Sequence, residues 1–281
     1  MSGCLSIVGL GPGASELITP LAAETLAAAT DLVGYAPYLA RVPERAGQRR
    51  HASDNREELA RARQALELAA SGKSVAVVSS GDPGVFAMAS AVFEAMQTGK
   101  PTWKDIEVTV VPGVSAMLAA AARAGAPLGH DFCVISLSAN LKPWDVVLKR
   151  LEAAAAADFV IVLYNPASKA RPWQLGEAFR LIARHRAPST PVIFAHAVSQ
   201  SDERIEIMTL AEADPPPKQT CARSLYWDRA RQGFCPGMDA RPSSTPPVTR
   251  SWSSHERARA RQALQRQSRR KALRAKLDAR P

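Results

Sequence analysis

The 281-residue chain is 46% hydrophobic and 22% charged, apolar enough to bury one large core or two ordinary ones, which excludes a wholly disordered protein. Its net charge of +10 is lopsided: residues 215–281 hold 16 Lys and Arg against 4 acids, and residues 1–214 hold 20 against 22, so the body lacks the basic excess of a nucleic-acid binder. Four cysteines without metal-ligand spacing, no signal-like leader and no apolar run of bilayer length predict a reduced, cytoplasmic chain with no metal and no membrane span, with Cys4 and Cys133 as buried thiols.

In chain order, a short apolar run at 5–8 predicts a first strand. It leads into "IVGLGPGASEL" at 7–17, with glycines at the first, third and fifth positions of its motif. A dinucleotide fingerprint needs the first, third and sixth, and Pro12 disfavours a helix starting inside the run, so a Rossmann loop is not indicated. Asp54 and Glu57 form a capping-box-like start for a helix over 55–70. Strands follow at 75–79, 107–111, 132–137, 159–163, 192–195 and 204–209, with helices at 143–157 and 172–185. Short β-rich runs alternating with alanine-rich helices through residue 210 predict an α/β protein with a mostly parallel sheet.

Two more loops share the form strand, small residues with Pro and Gly, helix: "SSGDPGVFAM" at 79–88 and "VVPGVSAML" at 110–118. Ligands of parallel sheets gather at the carboxyl ends of strands, so three such loops predict a cleft lined by main chain. With no Lys or Arg in them, they suit a small polar ligand better than a phosphate-rich one. Asp82 either caps the helix after it or faces the ligand. His130 beside Asp131 is a candidate general base or a structural pair. Tyr164 and Asn165 in "LYNPAS" end a buried strand in polar groups, and Arg41, Lys169 and Arg171 could clamp a polyanion or lie on solvated surface.

Taken together, "VGLGPG", "VGYAPYL", "SSGDPGVFAM", "VVPGVSAM", "GAPLGHDFCVISLS", "PWDVVLKRLEAAAAADFVIVLYNPAS" and "PVIFAHAVS" resemble the tetrapyrrole methyltransferases of cobalamin and sirohaem synthesis. Three of them ("GYAPYL", "GHDFCVISLS" and "LYNPASKAR") resemble more narrowly the member that methylates the macrocycle with ring contraction. The resemblance covers about residues 4–214. It implies a non-Rossmann fold of two α/β domains, 1–112 and 113–214, with S-adenosylmethionine folded into the cleft between them. It further implies that Gly81, Asp82, Val85, Phe86, Ser115, Ala116, Tyr164 and Asn165 contact the methyl donor, and that Gly11, Pro12 and Gly13 border a tetrapyrrole whose carboxylates meet Arg41, Lys169 and Arg171. Methyl transfer itself needs alignment and exclusion of water; ring contraction needs proton movement, for which Asp82, His130 and Asp131 are the candidates. A homodimer is a further implication.

After Asp214 the pattern stops. The basic segment 215–281 reads as a disordered tail. Pairing the third base of each codon with the first two of the next, 220–229 can encode V-R-T-L-V-V-L-G-S and 241–252 can encode A-F-V-Y-T-P-R-Y-A-E-L, segments the resemblance leads one to expect. The tail is therefore read as a frameshift product that costs the second domain its last strand and leaves its sheet with an open edge. Alternative functions are a sister enzyme acting on another ring carbon and, in a different class, a nucleic-acid binder acting through the tail.

Overall fold

The computed structural model describes residues 3–54, 57–139, 142–166 and 171–213. Lys169 and the segment 215–281, on which the tail, frameshift and nucleic-acid expectations rest, lie outside the described residues.

The first half of the chain builds one five-stranded sheet from β1 (Cys4–Gly9), β2 (Asp31–Tyr35), β3 (Arg49–Ser53), β4 (Ser74–Ser79) and β5 (Glu107–Val111). The order is β3-β2-β4-β1-β5 and every pair is parallel. Helices α1 (Pro20–Ala28), α2 (Ala36–Leu39), α3 (Glu58–Ala70) and α4 (Met88–Thr98) make the connections. Strand alternation divides the core: Leu5, Ile7, Val33, Val75 and Val77 pack with α3 and α4 on one face, and Val8, Leu10, Leu32, Ala76 and Val78 pack with α1 on the other. The buried Ala62, Ala65, Leu66 and Ala69 recur at the spacing that puts one helical stripe against a sheet.

Residues 116–213 supply α5 (Ala116–Arg123), β6 (Phe132–Ser136), α6 (Trp144–Ala156), β7 (Val160–Tyr164), α7 (Gln174–Ile182), β8 (Pro191–His196), β9 (Arg204–Thr209) and α8 (Leu210–Ala213). β6 and β7 form a parallel pair, and β8 and β9 an antiparallel pair. Val147 and Leu151 of α6 and Leu175, Phe179 and Ile182 of α7 cover Ile161, Leu163, Val192 and Phe194. On the other side Ala120 and Ala121 of α5 meet Val162, Ile193 and Ala195.

The parallel α/β architecture is as the periodicity predicts. Two strands, β2 and β3, carry no sequence signal strong enough to predict them: β3 reads RRHAS, a polar edge strand, and β2 contains Asp31 and Gly34. Glycine fits β2 because a Cβ at Gly34 would lie 2.2 Å from Val78 Cγ2. The helix expected from residue 55 begins at Glu58, with Glu57 as its N-cap residue; the Glu57 carboxylate accepts the Asp54 N–H at 3.1 Å. Cys4 is exposed rather than buried and Cys133 half-buried; Cys4 opens β1 at the sheet's rim, where alternation sends Leu5 and Ile7 into the core instead. Burial pushes the Cys133 thiol up to about 11. Among the described residues no helix is long and apolar enough to cross a membrane, and no cluster of His, Cys, Asp and Glu could hold a metal ion.

Candidate active site

The sheet order sets the site. β1 lies between β4 and β5 with Gly9 opposite Ser79 and Val8 opposite Val111, so the loops after these three strands leave the sheet side by side. They are locked main chain to main chain: the N–H of Gly11 donates to the carbonyl of Gly81 at 3.2 Å, and the N–H of Gly81 donates back to Gly11 at 2.9 Å.

This closeness explains the glycines. A Cβ on Gly113 would sit 2.3 Å from Gly81 O, and one on Gly9 would sit 2.7 Å from both Gly81 O and Gly113 N. Neither leaves room for a side chain. Gly81 differs: its φ is +65° and a Cβ would meet nothing nearer than 3.8 Å. Gly9 and Gly113 let loops touch, while Gly81 shapes the turn and leaves space beside it.

Asp82 joins two of these loops. Its Oδ1 accepts the N–H of Gly84 at 2.8 Å and its Oδ2 accepts the N–H of Gly113 at 3.1 Å. It does not cap α4, whose N-cap residue is Ala87. The carboxylate is a staple between the turn after β4 and the loop after β5, two charge-assisted bonds that fix their relative position. Val85 closes the same turn by donating to Asp82 O at 3.2 Å.

The second half contributes Tyr164 at the carboxyl end of β7. Its hydroxyl lies 2.8 Å from Ser115 Oγ and accepts the N–H of Met117 at 3.2 Å. Burial holds the Tyr164 pKa above the ordinary phenol value, the bonds from Ser115 and Met117 opposing and the nearby Asp82 charge adding to the rise, so the hydroxyl keeps its proton at neutral pH. Phe86 packs against Tyr164 with ring centroids 5.5 Å apart, and the ammonium of Lys142 lies 6.0 Å from the Phe86 ring centroid. Phe86 is 49% exposed and has φ +51°; Asn165, with φ +53°, donates to Ser136 Oγ at 3.0 Å. Positive φ at an aromatic residue is costly and persists where surrounding contacts over-determine it.

The first loop is held from two other directions. Arg41 Nη2 lies 2.7, 3.1 and 3.2 Å from the carbonyls of Leu10, Gly11 and Gly13. Gln200 donates to Pro12 O, and Ala14 donates to Ser199 Oγ. Gly11 and Pro12 are buried and Gly13 is half-buried.

The structure therefore gathers Gly11, Pro12, Gly13, Gly81, Asp82, Val85, Phe86, Ser115, Ala116, Tyr164 and Asn165 at adjoining strand ends. It does not bring His130 and Asp131 there. Both are exposed and precede β6, whereas the site lies beyond the other end of the β6–β7 pair, at Ser136 and Tyr164; a five-residue strand spans about 16 Å. Arg171 is half-buried. Sequence reasoning missed Lys142, Ser136 and Gln200. Ser136 ends its strand opposite Tyr164 in the register, a signal visible only once the pairing is known.

A family model described as Tetrapyrrole (Corrin/Porphyrin) Methylases matches residues 5–214. The chain is 60% identical over 214 residues to a precorrin-3B C(17)-methyltransferase of Sinorhizobium sp, covering 76% of this chain and 84% of that one. It superposes on the crystal structure of the methyltransferase CobJ with a TM-score of 0.77 and 46% identity, over 83% of this chain and 98% of that one. A Thermus thermophilus uroporphyrin-III C-methyltransferase complexed with S-adenyl homocysteine shares the fold at 24% identity and a TM-score of 0.61, over 81% of this chain and 97% of that one.

Proposed function

Since the chain belongs to the tetrapyrrole (corrin/porphyrin) methylase family, we propose that it methylates precorrin-3B at ring carbon 17, with ring contraction to precorrin-4, in cobalamin biosynthesis. The observation that carries this reading is the 60% identity to a precorrin-3B C(17)-methyltransferase across 84% of that protein, beside a family match over residues 5–214 that contains every loop of the candidate site. The donor is S-adenosylmethionine, whose sulfonium supplies an electrophilic methyl group and leaves as S-adenosylhomocysteine.

The residues fit a compact polar donor. The open side of Gly81, the turn at 82–85, the half-exposed face of Phe86 and the Ser115–Tyr164 pair supply apolar contact and main-chain polar groups without a phosphate-binding cluster. Asp82 acts by keeping the loops after β4 and β5 together, and Phe86 covers the site from water beside Tyr164. Catalysis of this kind is chiefly positioning: aligned reactants and exclusion of water. Residues 1–112 and 113–214 act as two domains around the site. Lys142, beside Phe86, and Arg171 would meet the macrocycle's carboxylates, whereas Arg41 braces the glycine loop. The enzyme works in the cytoplasm as a homodimer.

The test is calorimetric titration of the full chain with S-adenosylhomocysteine, followed by incubation with precorrin-3B and labelled donor. Binding together with label transfer to the macrocycle is expected. Binding without transfer to precorrin-3B but with transfer to another precorrin would move the assignment to a sister enzyme. No binding would remove the donor site.

A further inference from the structure

The loops after β6 and β7 both run into helices that start on tryptophan. Trp144 opens α6 and Trp173 is the N-cap residue of α7. Side chains at a helix start lean back toward its N-terminus, here toward the strand ends where the site lies. The two indoles meet edge to face, with ring centroids 5.2 Å apart and planes at 88°. Trp144 is the fixed member: it packs on the core under α6 and α7, and its Nε1 donates to Glu177 Oε2 at 2.9 Å. Trp173 is 47% exposed and does not join that core. Holding α6 against α7 needs only the first indole, so the second is braced yet presented to solvent. Phe86, 49% exposed, carries the aromatic surface on. Lys142 links the two, 6.0 Å from the Phe86 ring centroid and two residues before Trp144. Burial, and then the charge of Arg150, push the Lys142 ammonium below its ordinary pKa, and no carboxylate among the described residues pairs with it. Glu177, the acid in the first turn of α7, is committed to Trp144. Two exposed rings with a partly buried cation between them that lacks an anion suit a ligand that is broad, apolar and edged with carboxylates.

We propose that Trp173, braced by Trp144, is the wall against which the substrate's macrocycle packs, and that Lys142 takes one of the carboxylates on the macrocycle's rim. The inference rests on reading the chain as a precorrin methyltransferase and adds how that substrate is recognised. Phe86 marks the division of the site: its ring meets Tyr164, beside the donor loops, and also Lys142, on the way to the tryptophans. The two contacts do different work. An indole offers a large rigid apolar face that accepts a ring in more than one orientation, so Trp173 supplies affinity. A cation held at a fixed place beside that face is satisfied only when a carboxylate stands opposite it, so Lys142 sets the rotation of the macrocycle and with it the ring carbon that meets the methyl group.

The test uses the full chain, with uroporphyrin III as a stable tetrapyrrole polycarboxylate for binding, followed by its absorbance, and precorrin-3B with labelled donor for turnover. Trp173→Ala is expected to weaken uroporphyrin binding and to raise KM for precorrin-3B, each by about tenfold, while kcat stays within about threefold and S-adenosylhomocysteine affinity within about twofold of wild type, the pattern of lost substrate binding alone. Trp173→Phe keeps a ring and should recover macrocycle affinity to within about threefold. Lys142→Gln should weaken uroporphyrin binding by about fivefold in dilute buffer, a difference that shrinks as salt screens the charge. Uroporphyrin affinity and KM unchanged in Trp173→Ala would overturn the proposal. So would equal losses of macrocycle affinity, donor affinity and thermal midpoint, which would make the indole a packing residue. Binding of uroporphyrin does not depend on which carbon is methylated: a wild-type chain that binds it without methylating precorrin-3B would remove the reaction assignment, and a tenfold loss in Trp173→Ala would still uphold the wall.

Discussion

Replacing Gly113 by alanine tests whether the site is built by close contact of main chains. The new Cβ would lie 2.3 Å from Gly81 O and 2.9 Å from Gly9 Cα, so the loops must part by about 1 Å to reach ordinary contact. Neither neighbour is the free end of a side chain. Gly81 is bonded to Gly11 at 2.9 Å and Gly113 to Asp82 at 3.1 Å, so relief must break one of these links or bend the strand ends. Overpacking of this kind costs about 1–3 kcal/mol, and a displacement of about 1 Å at a reacting centre costs on the order of 100-fold in rate. Gly113→Ala is therefore expected to lower the thermal midpoint by several degrees, to weaken S-adenosylhomocysteine binding in calorimetry and to nearly abolish label transfer. Gly129→Ala, where a Cβ meets nothing within 4 Å, is the matched control and should stay within about 0.5 kcal/mol of wild type. A Gly113→Ala protein with unchanged melting and donor affinity within about twofold would refute the reasoning.

Arg41→Lys should lower the thermal midpoint by a few degrees, since Arg41 Nη2 faces three loop carbonyls and bonds from a charged donor are worth about 1.5–3 kcal/mol; an unchanged midpoint with a raised KM for the tetrapyrrole would instead make Arg41 a substrate clamp. Tyr164→Phe removes the hydroxyl from Ser115 and Met117 and should cost about 1 kcal/mol, read as weaker donor binding with the ring contact to Phe86 retained; full donor affinity in this variant would exclude the hydroxyl from the site. Asp31 is buried, which alone would raise its pKa, but bonds from His51 and Thr30 and the charges of His51 and Lys73 hold it below 3.8. The unfolded chain then takes up this proton first as pH falls, so the stabilisation is complete above 3.8 and is lost as pH drops through the folded value. Urea denaturation at a series of pH values should show the gap between wild type and Asp31→Asn closing only in that acid range; a gap that closes nearer neutrality would contradict the assignment.

Much of this protein was legible in its residues because the signals are local. Alternation and helical stripes mark β1, β4 to β9 and the long helices, and Pro-Gly runs mark the loops that form the site. The one clear failure of local pattern in the first sheet, β2 with β3, concerns short strands whose residues are polar or small and whose pairing, not composition, makes them strands. The roles of charged groups were not legible. Asp82 reads equally as a cap or a ligand contact until Gly113, 31 residues away, is seen donating to it. Arg41 reads as a substrate cation until its guanidinium is found against the carbonyls of Leu10, Gly11 and Gly13. His130 and Asp131 adjoin the right strand but at its wrong end, and only chain direction within the β6–β7 pair reveals that.

The sequence by itself determined the alternation of elements, the loop positions and the family, since these depend on residue order and on contacts between near neighbours. Tertiary structure alone decided which loops touch and which charges hold main chain, because these depend on hydrogen bonds and contacts between residues far apart in the chain, which no local pattern encodes.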